Sequence, residues 1–438
     1  MQRLLTFIML LTILSPMSVA QKKHKSDKSN SAPKTDDVVV VDDESCGCEL
    51  VFIDGIQTTE RDGKFGFKLA DGTEIVKPQY MFVDKFKNGY CIVLRDYDRY
   101  GLINKEGKEV VPCEYQNVTL PADGMIRVQK DGLYGFVHED GTPAIEPQYR
   151  AASTFNEGLA VVAVDIDSFT VSYGYIDKEN RIVIQPKYQY ANPFYNGYAV
   201  VKQYERNGMI DRNGKMVFPA KYEFLSAMDN NGIFLVMDPE GDHIAMFNRK
   251  FKQITPYQYD DFISYSDGFY VFVKHGQKGL IDAKGKEHFG LYDNVGGFQN
   301  GFCMVRKNDK YGIIDKKGKF ILPLEYSNKS TLGDAYTFHE GLALVMKNDS
   351  CGFINTKGEI VIPLQYQSGF YFEDGLCPVQ KNGVWGYIDH SGNVKIPFIF
   401  LAASPFEYHR AEVYYNNNVH KINPDGKCIK SCKDFPKW

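Results

Sequence analysis

Cysteine is the residue type whose spacing in this 438-residue chain points most directly to chemistry. Nine cysteines are present, and four of them lie near the two ends of the chain: Cys46, Cys48, Cys428 and Cys432. In an exported chain an even number of such cysteines predicts disulfides. We therefore predict disulfides among these four. A zinc site with the same thiolates is the alternative, although C-x-C with C-x3-C is not a standard zinc spacing.

Other residues with catalytic or ligand-binding potential are scattered. The nine histidines form no HExxH motif, and the chain has no G-x-S-x-G motif and no glycine-rich phosphate loop. Asp229-Asn230-Asn231-Gly232 matches a fragment of a calcium loop, but the remaining ligands are missing, so a plain turn is the preferred interpretation. A glycosidase would need two carboxylates a few Å apart. We predict no catalytic residue, no cofactor and no metal.

The first 48 residues predict a targeting segment and a linker. Arg3, the apolar run from Leu4 to Leu14 and the small residues Ser18-Val19-Ala20 are typical of a signal peptide over residues 1–20. An uncleaved anchor is the alternative, but the run is short for a bilayer span. Residues 21–48 contain few large apolar side chains and predict a disordered linker. We expect an exported protein, periplasmic, secreted or on the cell surface, with no membrane span in the mature chain.

The charge of the chain argues against nucleic acid as a partner. The formal net charge is −4, and no segment carries a dense block of lysine and arginine. Binding to phosphates requires such a block. We therefore predict no nucleic-acid partner.

A glycine-centred pattern recurs at intervals of roughly 34 residues. Six residues after the first glycine of each copy comes a turn position, held by Asn180 in copy four and Phe251 in copy six. Glycine at this position is typical of a hairpin turn with a left-handed residue. In the other eight copies the turn position is glycine: Gly72, Gly107, Gly141, Gly214, Gly285, Gly318, Gly358 and Gly392.

An aromatic residue follows the turn position by eight residues in nine copies, whereas copy seven has Asp293 there. A proline before the aromatic residue is expected to end the strand. A glycine-led strand such as the one that starts at Gly158 follows in most copies. The aromatic residues are Tyr80, Tyr115, Tyr149, Tyr188, Tyr222, Tyr259, Tyr326, Tyr366 and Phe400.

These spacings predict an all-β fold, a tandem array of about ten three-stranded antiparallel β repeats over residues 49–432, with a C-terminal tail at 433–438. One such unit must stack its apolar face on the next unit. We expect an open, solenoid-like superhelix. A closed, propeller-like ring is the alternative, although propeller blades usually have four strands and a longer repeat.

The pattern resembles the WG repeat, also called KWG, from about Lys64 to Val413. The segment Asn-Gly-Val-Trp-Gly-Tyr-Ile-Asp at 382–389 is a close match, but only Trp385 keeps the tryptophan, and copy six has Ala245 and Phe251 in place of both glycines. The resemblance implies a bacterial protein, in many cases exported. It implies no catalytic residue.

Our first functional hypothesis is therefore a non-enzymatic binding scaffold of the cell envelope that recognises an unknown protein or envelope polymer. A glycan-binding module is the second hypothesis, because aromatic rings stack on sugars, and a hydrolase is the third. Cys91, Cys303 and Cys377 share a small buried position with Ala160 and are expected to be core thiols. The aromatic residues outside the repeat positions are candidates for a sugar-binding surface: Tyr265, Tyr371, Phe372, Tyr408 and Tyr414.

Overall fold

The computed structural model describes residues 38–436 apart from 44–47, 54, 70, 168–169, 328–335, 408 and 431, with only the backbone for 38–43, 48–53 and 430. The predicted signal peptide 1–20 lies outside the described residues. So does the linker up to residue 37. A strand at Val38–Asp43 lies within the range 21–48 that the sequence assigns to a linker, where a run of valines favours extended structure.

The described chain forms 43 strands in eleven antiparallel sheets, and the strands of each sheet pair in chain order. Sheet 1 contains β1 (Val38–Asp43), β2 (Cys48–Ile53), β3 (Ile56–Arg61), β4 (Lys64–Leu69) and β5 (Glu74–Tyr80). Sheet 2 contains β6 (Phe82–Val83), β7 (Tyr90–Leu94), β8 (Tyr100–Asn104) and β9 (Glu109–Tyr115). Sheet 3 contains β10 (Asn117–Val118), β11 (Met125–Lys130), β12 (Leu133–His138) and β13 (Pro143–Tyr149). Sheet 4 contains β14 (Ala151–Ala152), β15 (Ala160–Asp165), β16 (Val171–Ile176) and β17 (Ile182–Tyr188).

Sheet 5 is regular, and the three sheets after it are irregular. Sheet 5 contains β18 (Tyr190–Ala191), β19 (Tyr198–Gln203), β20 (Arg206–Asp211) and β21 (Met216–Tyr222). Sheet 6 has only β22 (Ile233–Met237) and β23 (Ile244–Asn248). Sheet 7 contains β24 (Asp261–Ser266), β25 (Phe269–Lys274), β26 (Gln277–Asp282) and β27 (Glu287–Tyr292). Sheet 8 contains β28 (Asn294–Gln299), β29 (Phe302–Lys307), β30 (Lys310–Asp315) and β31 (Phe320–Tyr326).

The last three sheets return to the regular pattern. Sheet 9 contains β32 (Phe338–His339), β33 (Leu342–Lys347), β34 (Ser350–Asn355) and β35 (Ile360–Tyr366). Sheet 10 contains β36 (Ser368–Gly369), β37 (Leu376–Lys381), β38 (Val384–Asp389) and β39 (Val394–Phe400). Sheet 11 contains β40 (Ala402–Ala403), β41 (Ala411–Tyr415), β42 (Asn418–Ile422) and β43 (Cys428–Lys430).

The predicted all-β array is confirmed, with one addition to each regular sheet. The three expected strands are present, and a fourth strand of two residues precedes them, as β14 does in sheet 4. In each sheet the glycine-led strand of one copy also pairs with the strand that contains the first glycine of the next copy. In sheet 4, for example, β15 pairs with β16. The sheet boundary therefore falls directly after the aromatic residue, and hydrogen bonds connect successive copies.

The core lies between consecutive sheets. In β17 the alternation of exposed and buried residues turns Ile184 and Tyr188 inwards. These side chains share one apolar cluster with Phe194, Ala199 and other residues of sheet 5. Strand contacts connect most consecutive sheets, and shared apolar clusters connect sheet 6 to sheets 5 and 7. No extensive contact between described strands joins sheet 1 to sheet 11. The array is therefore open.

In eight of the ten repeats the proline lies within a strand, so the expectation that it ends the strand is wrong. In sheet 3, Tyr134 pairs with Tyr149 and Phe136 pairs with Ile145, which leaves Pro147 in a bulge opposite Gly135. A Cβ atom at Gly135 would lie 2.4 Å from the Ile145 carbonyl oxygen. The bulge accommodates the missing N–H of proline and requires glycine beneath it.

Copy seven uses a different aromatic residue from the one that the spacing indicates. Tyr292, rather than Asp293, pairs with Lys278 and is buried. Strand β27 lacks the proline, and Phe289 and Gly290 take positive φ angles there. The register therefore shifts by one residue relative to the other copies.

Six of the eight turn glycines lie against the preceding sheet, whereas Gly72 faces open space and Gly285 lies against Ile254. All eight have φ between 76° and 88°. A Cβ atom at Gly141 would also lie 1.9 Å from the carbonyl oxygen of Val110 in sheet 2. Glycine at this turn thus serves both the left-handed backbone and the close stacking of sheets.

Candidate functional site

A concave site opens at the junction of sheets 6 and 7, where the repeat pattern breaks. In place of outer strands, sheet 6 has three isolated bridges, which pair Leu225 with Val236, Ile244 with Tyr259, and Phe247 with Gln253. The cleft beside it has a volume of about 240 Å³. We call it the tyrosine cleft, lined by Ser226, Ala227, Asp229, Ile233, Leu235, Phe262, Ile263, Ser264, Tyr265 and Tyr270.

The tyrosine cleft arises where two paired core positions both carry a large side chain. In six other copies a phenylalanine lies three residues before the glycine that starts the glycine-led strand, and a small residue lies two residues after this glycine. Both residues are buried. Copy six has Tyr265 and Tyr270 at these two positions, and they pair directly across β24 and β25. The regular pairs are Phe86 with Cys91, Phe155 with Ala160, Phe194 with Ala199, Phe298 with Cys303, Phe338 with Ala343, and Phe372 with Cys377.

The two tyrosines divide the space unequally. Tyr270 is 7% exposed and occupies the core, whereas Tyr265 is 45% exposed. Their ring centroids are 4.6 Å apart, with planes inclined at 48°. A close-packed interior has no room for both rings. Tyr265 therefore presents its ring at the wall of the cleft.

A polar network fixes the floor of the cleft. The Tyr270 hydroxyl donates to Asp229 Oδ2, and Asn231 Nδ2 donates to the Tyr270 hydroxyl oxygen at 3.0 Å. The backbone N–H groups of Asn231 and Ile233 donate to Asp229 Oδ1 at 2.9 and 2.8 Å. The Tyr265 hydroxyl donates to Asn231 Oδ1 at 3.3 Å. Both tyrosines and the carboxylate are thus held in place before any ligand arrives.

Burial of Tyr270, together with its hydrogen bond to the Asp229 carboxylate, raises the pKa of its phenol well above the ordinary value. The hydroxyl therefore remains a hydrogen-bond donor throughout the physiological pH range. Asp229 is the only carboxylate among the lining residues. The cleft can thus offer an aromatic surface and hydrogen-bonding groups, but it lacks the second carboxylate that glycoside hydrolysis requires.

The turn segment Asp229-Asn230-Asn231-Gly232 is an Asx turn, as the sequence interpretation prefers. Gly232 takes a φ of 76°, and its N–H donates to the Asp229 carbonyl at 3.0 Å. The sequence did not reveal that this turn would meet Tyr265 and Tyr270. The signal was present, because two large residues stand at paired positions where other copies combine a large residue with a small one.

The other candidate aromatic residues lie elsewhere. Phe372 is fully buried, and Tyr414 is partly buried. Tyr371 stacks on His339, with ring centroids 4.5 Å apart. Tyr408 lies outside the described residues. Tyr265 is thus the candidate that the structure places in a concave site.

The four terminal cysteines are described only in part. Cys428 and Cys432 lie at disulfide distance, with Cα atoms 5.6 Å apart. Cys46 lies outside the described residues, and Cys48 begins β2 with its side chain not described. Disulfides among the N-terminal cysteines therefore stay a prediction.

Five further cysteines are buried thiols without a disulfide: Cys91, Cys113, Cys303, Cys351 and Cys377. Burial raises the pKa of Cys91 and of Cys303 to about 12. The Cys91 thiol also donates to the Asp84 carbonyl at 3.0 Å. These thiols fill core positions and remain protonated.

Many carboxylates connect consecutive sheets, a role that the sequence reading missed. In several copies an acidic residue directly precedes the glycine that starts the glycine-led strand. Its carboxylate accepts a hydrogen bond from the backbone N–H at the corresponding glycine position of the next copy. Glu157 accepts from Gly197 at 3.0 Å, and Asp267 accepts from Gly301 at 3.1 Å. Asp123, Glu340 and Asp374 do the same with Gly158, Gly375 and His409. These side chains thus serve the stacking of repeats.

The described parts of the chain contain neither a cluster of metal-ligating side chains nor a membrane-spanning helix. No group of three or more His, Cys, Asp or Glu side chains there has an arrangement that could hold a metal ion. Within the same residues no helix is both long and apolar enough to span a membrane.

Solved structures resemble the chain only distantly. A eukaryotic initiation factor aligns with 61% of this chain and 84% of its own length, at 11% identity and a TM-score of 0.40. BamB from Moraxella catarrhalis aligns with 70% of this chain and 95% of its own length, at 10% identity and a TM-score of 0.29. Streptogramin B lyase aligns with the same two shares, at 13% identity and a TM-score of 0.24. These values assign no function to the chain.

No curated protein matches the chain. The family model for the WG-containing repeat matches ten consecutive segments between residues 66 and 418. The segments are 66–97, 100–134, 134–165, 173–205, 208–238, 246–278, 279–311, 311–351, 352–385 and 385–418. The chain belongs to the WG-containing repeat family.

Proposed function

We propose that this protein is a non-enzymatic binding scaffold of the bacterial cell envelope or exterior, and that its ligand contacts the tyrosine cleft. The observation that carries the proposal is the exposed ring of Tyr265 in a concave site whose polar floor is already ordered. Ligand sites are typically concave and largely preformed, with a few fixed polar groups. The signal peptide predicted at residues 1–20 supports an envelope or external location.

The distribution of carboxylates favours binding over hydrolysis. Asp229 stands alone among the residues that line the cleft, and it already accepts four hydrogen bonds. Acidic residues such as Glu157 and Asp267 bond to the next repeat. A paired acid and base, which a glycosidase needs, has no counterpart in the cleft.

Position-specific photocrosslinking tests the proposal. A benzophenone amino acid replaces Tyr265 in the chain that starts at Gln21. A matched control carries it at Tyr204, which is 84% exposed in the turn between β19 and β20. We expect envelope fractions to give a product from position 265 that unlabelled wild-type protein competes away, with the ligand recovered chemically intact. Equal products from both positions would contradict the proposal. So would a ligand that is cleaved during incubation.

A further inference from the structure

We infer that the tyrosine cleft binds one pyranose residue of a neutral saccharide, with the ring of Tyr265 as its stacking surface. This inference rests on the proposed binding function and adds the chemical class of the ligand. It depends on three features of the cleft: a fixed exposed ring, unused hydrogen-bonding capacity beside it, and the sign of the local charge.

The ring of Tyr265 is fixed at two points. The Tyr270 ring packs against the Tyr265 ring with centroids 4.6 Å apart, and the Tyr265 hydroxyl donates to Asn231 Oδ1. Nearly half of the side chain remains exposed. The face of an aromatic ring is electron-rich and attracts polarised hydrogens, such as the C–H groups on one face of a pyranose. Because the ring is already ordered, stacking costs little conformational entropy.

The polar groups next to the ring suit hydroxyl groups. Asn231 Oδ1 has two lone pairs, and the Tyr265 hydroxyl occupies one of them. The oxygen of the Tyr265 hydroxyl is itself an acceptor, and Ser264 offers an exposed hydroxyl on the same strand. A sugar hydroxyl can both donate and accept, so it matches this mixture of groups. An apolar peptide side chain would leave these groups without partners.

The charge of the lining residues and the volume of the cleft restrict the class of ligand further. Asp229 is the only charged residue in the lining, and no lysine or arginine accompanies it. A sugar with a carboxylate, sulfate or phosphate would therefore meet repulsion without compensation. The volume of about 240 Å³ is below the roughly 300–1,000 Å³ of sites for drug-sized ligands. Ile263 and Tyr265 are both exposed at the rim, so the bound residue can be part of a longer chain.

Saturation-transfer NMR titrations test the inference with the methyl glycosides of glucose, galactose, mannose and N-acetylglucosamine and with their β-linked oligomers. We expect at least one neutral pyranoside to bind, with a dissociation constant on the order of 1 mM for a single ring. Tyr265→Ala should weaken that binding about tenfold or more. Tyr265→Phe, which keeps the ring, should stay within about threefold, and Tyr204→Ala should change nothing.

The outcomes separate this inference from the proposed function. If none of the neutral sugars binds, or if Tyr265→Ala binds as well as the wild type, the saccharide inference is overturned. Binding of acidic sugars alone overturns it as well. A competed crosslink from position 265 to a protein would leave the scaffold function standing while it removes the saccharide as ligand. An unchanged thermal midpoint of Tyr265→Ala shows that weaker binding does not come from unfolding.

Discussion

Tyr265 and Tyr270 face each other across the β24–β25 hairpin, with ring centroids 4.6 Å apart, at two positions that hold a phenylalanine and a small residue in six other repeats. Tyr270 fills the core, and Tyr265 is left at the surface. The cleft is therefore a consequence of one oversized core residue. An interruption of the repeat has produced the candidate site.

Removal of the oversized residue should close the cleft. In Tyr270→Ala we expect the Tyr265 side chain to turn into the vacated space, as Phe155 packs with Ala160 in sheet 4. The loss of stability should then fall below the roughly 3–5 kcal/mol typical of aromatic-to-alanine changes in a core. Nitration by tetranitromethane, read by mass spectrometry, should decrease at Tyr265 and stay unchanged at Tyr204. Unchanged nitration of Tyr265 would refute the exchange.

The same competition for space should appear in a regular repeat when its small residue is replaced by tyrosine. Ala160→Tyr places a large side chain opposite Phe155 and should destabilise the protein by about 1–3 kcal/mol through overpacking. The double variant with Phe155→Ala should recover part of that loss, with a coupling energy of about 0.5–3 kcal/mol. Urea unfolding of the two single variants and the double variant measures the coupling. Additive effects would show that the two positions do not compete for one space.

Glycines with positive φ should contribute differently to the free energy of unfolding, according to the atoms that pack against them. Gly141 and Gly132 both have positive φ, but only Gly141 approaches a backbone oxygen, that of Val110. Gly132→Ala should cost about 1–2 kcal/mol from the left-handed backbone alone. Gly141→Ala should cost a further 1–3 kcal/mol or so, because the two sheets must separate. Equal unfolding free energies for the two variants would contradict the stacking role.

Most of the fold could be predicted from the sequence because each position of the repeat occurs in about ten copies, which can be compared with one another. The turn glycines, the aromatic positions and the all-β class depend on local backbone and on alternation, which spacing reveals. The phase of the sheets could not be read, since the sheet that begins after Tyr149 depends on the pairing of β15 with β16 of the next copy. Pro147 was assigned to a strand end because a bulge of this kind depends on the partner strand.

The candidate site was only partly visible in the sequence. Tyr265 stood out as an aromatic residue off the repeat positions that spacing had defined, and Asp229 to Gly232 stood out as a turn. Their proximity depends on how sheet 6 stacks on sheet 7, and no pattern within either copy encodes that contact. Phe372 was selected on the same grounds as Tyr265 yet is buried, because its partner is the small Cys377.

The buried thiols should make the free energy of unfolding decrease as the pH becomes alkaline. Burial raises the pKa of Cys91 and Cys303 to about 12 and that of Cys113 to about 11, compared with about 8.5 in an unfolded chain. The folded state therefore favours the protonated thiol, so its contribution to stability is complete below about pH 8.5 and is lost as the pH rises towards 12.

Alkylation by iodoacetamide at pH 8 measures the protection of these thiols directly. We expect slow reaction at the five buried cysteines in native protein and fast reaction in guanidinium chloride, because the thiolate is the nucleophile. Fast modification of Cys303 in the native state would show that the core position is wrongly described.

Saturation binding to isolated cell envelopes tests the central claim, that the exposed ring of Tyr265 is where the scaffold meets its ligand. The wild-type chain from Gln21 and the Tyr265→Ala variant are titrated against the same envelope preparation, with Tyr204→Ala as the control. We predict that half-saturation requires about ten times more of the Tyr265→Ala protein, while its thermal midpoint and the control curve match the wild type. Coincident binding curves for Tyr265→Ala and wild type would contradict the account.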